Sequence, residues 1–139
     1  MLGRMKIYVA CTSKQVSLAR SIMKVVEQWG YELVYDWTEA IHREESMELS
    51  ELQQRAVDTI SAVGKAKCVL IVLTPDMRSI GSSIEFGAAL VANKTVIFYG
   101  GEAEQNGPLA SHFFANHPRV VRVENPNELQ SRLAAIASV

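Results

Sequence analysis

Apolar positions along the chain switch between two periods. Lys6 to Cys11, KIYVAC, is a short β-branched and aromatic run of strand length. Over 14–29, Val16, Leu18, Ala19, Ile22, Val25, Val26 and Trp29 recur mostly every 3.6 residues, predicting a helix. Ser13 is a candidate N-cap and Gly30 the stop. YELVYDW (31–37) reads as a second strand, and the polar, charged stretch 38–47 as a loop. A second helix is expected from about Met47 to Gly64, carrying Leu49, Leu52, Ala56, Ile60 and Val63. KCVLIVLT (67–74) is an unbroken apolar run, the pattern of a strand covered on both faces. PDMRSIGSS reads as a loop, IEFGAALVAN as a helix, TVIFYG as a strand and GEAEQNGP as a turn. LASHFFANHP fits a short helix. RVVRV is a last strand, and NPNELQSRLAAIAS a last helix capped by Asn125 or Asn127.

Strands alternating with helices predict an α/β fold: a five-stranded parallel sheet flanked by helices, in a flavodoxin- or Rossmann-like three-layer sandwich of order 2-1-3-4-5. No repeat, low-complexity tract or linker interrupts it, so 1–139 is read as one domain. Ligands of such sheets bind beyond the carboxyl ends of the strands, beside the first strand. The loops there are 12–14, 36–47, 74–83 and 100–107.

Composition narrows the partners. Apolar residues are 48% and charged residues 21% of the 139, with net charge −1. A near-neutral chain lacks the basic footprint of a protein whose partner is a nucleic acid polymer. No apolar run approaches the ~20 residues that span a bilayer. The start, MLGRMKIYVA, runs straight into a strand pattern, so no secretory signal is read and a cytoplasmic location is expected. Cys11 and Cys68 sit in apolar strand-like runs and are expected to be reduced and buried. His112 and His117 have no ligand spacing with other donors, so neither metal nor cofactor is expected. Walker, dinucleotide and nucleophile-elbow motifs are missing.

The candidate chemistry gathers in SIGSSIEFGAAL (79–90). Gly81 would let a ligand approach closely, while Ser79, Ser82 and Ser83 offer groups suited to anions. Arg78 would add a cation or, equally, stand solvated. Glu85 would fall in the first turn of a helix, whose partial positive charge keeps a carboxylate ionised. Such a group can attack a sugar carbon; equally, it can merely support a turn capped by Ser82 or Ser83. Thr12 lies in the loop after the first strand. Trp37 closes the second strand, placed either to stack on a base or to fill the core. His42 sits in the polar loop. Phe113 and Phe114 are adjacent, and one of them is expected to meet a partner subunit.

IYVA near the start, Asp58 before the third strand, and S-x-G-x-x-x-E-x-G-x-A followed by TVIFY together resemble the nucleoside 2-deoxyribosyltransferase family, which includes nucleoside 5′-monophosphate N-glycosidases. The resemblance spans roughly residues 6 to 99. It implies cleavage of an N-glycosidic bond by hydrolysis or transfer, with Glu85 as catalytic nucleophile, Tyr8 holding it and Asp58 helping to protonate the leaving base. Ser79 matches a serine that contacts the 5′-phosphate in the hydrolases, where the transferases carry aspartate. Cys11 stands where the family has glycine, Ser82 and Ser83 where the hydrolases have further glycines, and the loop before Ser79 is longer. The implied partners are a small-molecule nucleoside or nucleotide and a neighbouring subunit in a homodimer or larger assembly. Two other readings remain: a non-catalytic nucleotide-binding module, and an NAD glycohydrolase like the distantly similar TIR domains.

Overall fold

In the computed structural model, which describes residues 3–139, five parallel strands form one sheet of order β2-β1-β3-β4-β5. They are β1 (Lys6–Ala10), β2 (Glu32–Leu33), β3 (Cys68–Val72), β4 (Thr95–Tyr99) and β5 (Val120–Val123). The helices are α1 (Val16–Gln28), α2 (Leu49–Lys65), α3 (Ile80–Val91), α4 (Glu102–Gln105) and α5 (Pro126–Ala137). The order is the expected one, and every residue of β3 is buried. Its unbroken apolar run works because neither face meets water.

The second strand is far shorter than YELVYDW suggests. Only Glu32 and Leu33 pair with β1. The Met5 and Ile7 carbonyls accept from Glu32 and Val34 N–H groups. The next carbonyl on that edge belongs to Val9, and the Trp37 indole N–H donates to it at 2.8 Å. A side chain thus replaces the strand, and Trp37 lies in a 3-10 turn, Trp37–Glu39, led by Asp36. Arg20 clamps this corner through the Thr38 hydroxyl and carbonyl at 3.1 and 3.2 Å. The stretch read as a loop over 38–47 holds a second 3-10 segment, Ile41–Ser46.

Several helix ends move. Residues Ser13–Gln15 form a 3-10 turn capped by Thr12, so Ser13 is not the cap. Gly30 does stop α1, at φ +96°, a conformation glycine adopts freely. Asn125, not Asn127, caps α5, accepting from the Glu128 N–H at 3.0 Å. A short helix, α4, replaces the turn expected at 102–105, and Phe113–Asn116 is 3-10.

The largest shift is at α3, which begins at Ile80 rather than Ile84. Ser79 is its N-cap, accepting from the Ser82 N–H at 3.1 Å. That hydrogen bond satisfies an otherwise orphan donor and pulls Gly81, Ser82 and Ser83 into the helix. Glu85 accordingly sits in the second turn, not the first, and neither Ser82 nor Ser83 is the cap. The buried stripe of α3 is Ser82, Glu85, Phe86 and Ala89, a three-four spacing that carries Glu85 inward.

Cys11 and Cys68 are both buried and free. Burial pushes their thiols up, to about 11 and about 12 respectively, so both stay protonated at neutral pH. Among the described residues no helix is long and apolar enough to cross a membrane, and no cluster of three or more His, Cys, Asp or Glu is placed to hold a metal ion.

Candidate active site

A cleft of about 820 Å³ opens beyond the carboxyl ends of β1 and β3. This is where the strand order reverses around β1, the place such sheets offer to a ligand. The loop after β1 and residues 74–79 after β3 form two sides, and α2 and α3, which pack together, form the others.

Tyr8 and Glu85 meet at the cleft floor. Tyr8 is fully buried on β1, and its hydroxyl donates to Glu85 Oε2. Glu85 is 9% exposed. Burial pushes its carboxyl up to about 7, against the opposing pull of the Tyr8 hydroxyl and the Arg55 charge. The first-turn argument for a firmly ionised Glu85 therefore fails: the helix-end field fades within one turn, and desolvation dominates. Burial and the neighbouring carboxylate hold the Tyr8 hydroxyl far above its ordinary range, so it stays protonated and remains a donor.

Thr12, Trp37, Ser79, Gly81 and Ser82 also line the cleft. Trp37 does so with its N–H committed to Val9, as a wall built from the core. Gly81 belongs to the first turn of α3, and a Cβ there would meet nothing of the protein within 4 Å. Ser82 is 1% exposed, and its Oγ has no partner among the described residues.

Two predicted residues are elsewhere. Ser83 is outside the lining, its Oγ donating to the Ser79 carbonyl at 2.8 Å on the exposed side of α3. Asp58 is exposed on α2, accepts from Gln54 Nε2 at 2.8 Å, and does not line the cleft. The α2 residues that do are Leu52, Arg55, Ala56, Thr59 and Ile60. Asp58 falls between the lining pairs 55–56 and 59–60, on the side of α2 turned away from the cleft. The acid role that resemblance assigns to Asp58 has no support in this geometry.

Arg55 is the cleft residue that sequence patterning passed over. Its side chain is 16% exposed and lies 2.8 Å from Glu44 Oε1 through Nη1. That nitrogen is nevertheless not aligned for a hydrogen bond with Glu44. The available signal was spacing: Arg55 stands three residues after Leu52 and four before Thr59, on one helical face.

No protein-family model matches the sequence, and no curated protein matches it either. Among solved structures, the CMP N-glycosidase BcmB of Clostridium botulinum is similar in fold, with a TM-score of 0.61. The match covers 94% of this chain and 98% of that one at 16% identity. At that identity the likeness is one of fold: a parallel α/β sandwich of the kind that an N-glycosidase uses.

Proposed function

We propose that the protein cleaves the N-glycosidic bond of a nucleoside or nucleoside 5′-monophosphate, with Glu85 as the nucleophile. The observation that carries this reading is the Tyr8–Glu85 pair, a carboxylate buried at a cleft floor and held by a neutral phenol. Support also comes from the residues resembling the nucleoside 2-deoxyribosyltransferase family and from the fold shared with an N-glycosidase. In the proposed step a Glu85 oxygen bonds to the anomeric carbon as the C–N bond breaks, through an oxocarbenium-like transition state. The base leaves with the electron pair and takes its proton from solvent in the open cleft. Water or a second base then attacks the same carbon and releases Glu85. Tyr8 fixes the carboxylate and leaves its other oxygen for the sugar. Ser79, Ser82 and the backbone of the first turn of α3 are proposed to receive a phosphate or sugar hydroxyl.

The test is chromatography of free base after incubation with nucleosides, their monophosphates and NAD. Release from a nucleoside or monophosphate supports the reading. Release from NAD alone transfers the activity to a dinucleotide, and binding without release leaves a non-catalytic module. The active form is ionised Glu85, so base release is expected to rise about tenfold per pH unit below pH 7 and to level off above it. A profile that is flat from pH 5 to 8 would exclude Glu85 as the titrating nucleophile.

A homodimer or larger assembly is also proposed. Phe113 is 70% exposed and stacks with Phe114 and His112, with ring centroids 4.4 to 5.3 Å apart. Further exposed apolar side chains, Leu49, Val57, Ile80, Ile84 and Val91, stand on α2 and α3, and of these Ile80 and Ile84 line the cleft. Sedimentation equilibrium is expected to give at least twice the 15.4 kDa of one chain. Phe113→Asp and Ile80→Asp, measured separately, will show which face mediates the contact. A monomer at high micromolar concentration removes the assembly.

A further inference from the structure

The cleft contains two buried polar atoms without a directed hydrogen-bond partner among the described residues, Arg55 Nη1 and Ser82 Oγ. They come from two walls that pack together, α2 and α3, and both residues line the same cavity as Glu85. A buried polar atom without a partner is costly, so pairs of them mark where a ligand's polar atoms belong. Ser82 lies on the same face of α3 as Glu85, one turn before it, and the Arg55 charge acts on both Glu85 and Tyr8. Ser82 therefore borders the reacting carboxylate, and Arg55 lines the cleft whose floor Glu85 forms.

Their chemistry narrows what fits. A guanidinium only donates, and its planar fork matches the oxygens of a phosphate or carboxylate. The Ser82 hydroxyl can donate alongside it. Glu44 balances the Arg55 charge, at 2.8 Å, but none of the Arg55 N–H groups makes a directed hydrogen bond among the described residues. Glu44 is thus the resident counter-ion of the fork, close to Nη1 but off the line of its N–H bonds. It belongs to the 3-10 segment Ile41–Ser46, whose Ile41 also lines the cleft.

We infer that Arg55, with Ser82, is the oxyanion-binding pair of this cleft, and that Glu44 is a resident competitor that an incoming oxyanion displaces from the Arg55 fork. The inference rests on the N-glycosidase reading for the rest of the ligand, where it selects the 5′-monophosphate over the nucleoside. The occupancy of the pair by an oxyanion can be measured without any turnover.

The test is titration of the whole protein with ribose 5-phosphate, ribose and inorganic phosphate, followed by amide chemical shifts. Ribose 5-phosphate is expected to bind at least tenfold tighter than ribose, with a preference that shrinks as salt rises. Arg55→Gln is expected to erase that preference, and Ser82→Ala to reduce it. Glu44→Gln is expected to tighten phosphate binding several-fold, because it removes the competitor and keeps the cation. A merely structural Arg55, serving to pin the 41–46 segment, predicts instead that Arg55→Gln and Glu44→Gln weaken binding alike. That result overturns the inference, as does equal binding of the sugar with and without phosphate. Inorganic phosphate binding as tightly as ribose 5-phosphate would show a free-anion site, with no part played by the sugar, and would overturn the monophosphate assignment. If phosphate binding follows Arg55 but no base is released from any substrate, the oxyanion pair stands and the N-glycosidase reading falls. If base is released equally well from nucleoside and monophosphate by wild type and Arg55→Gln, the reverse holds.

Discussion

Glu85→Gln is expected to abolish base release and, at pH 8, to make the protein more stable. The loss follows from the chemistry: a neutral amide cannot form the glycosyl bond. Removing a catalytic carboxylate should reduce turnover by a thousandfold or more, about 4 kcal/mol of barrier. The gain follows from linkage. The folded carboxyl titrates at about 7, above its ordinary value of 4.5. Between these values the folded state holds the proton that the unfolded state has released. Stability therefore falls as pH rises from about 4.5 through 7, and above that the folded chain carries the full penalty of a buried charge. The shift corresponds to about 3 kcal/mol.

Glutamine removes the charge while its amide oxygen still accepts from Tyr8. Its NH₂ group needs a partner of its own, so the expected net gain at pH 8 is about 1–3 kcal/mol. At pH 4, where Glu85 is neutral in both states, the gain disappears. Alanine is a poorer probe, because it leaves the buried Tyr8 hydroxyl without an acceptor, at about 1–3 kcal/mol. Melting curves at pH 4 and 8, with base release measured on the same samples, decide the matter. A variant that loses stability at pH 8 and keeps its turnover would show a structural carboxylate and no nucleophile.

Phe98→Ala is expected to be the most destabilising single truncation near the site. Phe98 is fully buried in β4, and its ring meets Phe86 edge-on at 5.0 Å and 62°. The opposing ring belongs to the residue after Glu85, so this contact sets how deeply α3 seats on the sheet. Truncating a buried phenylalanine costs about 3–5 kcal/mol through lost transfer energy and the cavity left behind. Against a total stability of about 5–15 kcal/mol that is a large fraction. Urea unfolding should show a lower midpoint at unchanged slope. Turnover measured well below that midpoint should also fall, because α3 carries Glu85. A loss under ~1 kcal/mol would mean that the Phe86–Phe98 contact does not hold α3 in place.

Local patterning was sufficient for the sheet. The unbroken KCVLIVLT run can only be covered on both faces, and helix-period stripes between strands impose parallel crossovers. The position of the cleft follows from that topology, and so does Glu85 on the helix after β3; Tyr8 is singled out through the family resemblance. The electrostatic state of Glu85 follows from neither. Gly81, Ser82 and Ser83 have loop-forming composition, and only the Ser79 cap draws them into α3. That one added turn moves Glu85 from a helix end, where a carboxylate is favoured, to a buried stripe, where it is not. Trp37 belongs to a strand by pattern and leaves it because an edge carbonyl of β1 needs a donor. The α2 wall is the clearest division. Family resemblance marks Asp58 as the acid, and patterning passes over Arg55. Which of the two faces Glu85 depends on the rotation of α2 against α3, a packing angle that no spacing within one helix contains. The sequence by itself determined the architecture and the two residues at the cleft floor. Tertiary packing decided their protonation and the cation that stands beside them, because both depend on burial and on groups distant in the chain.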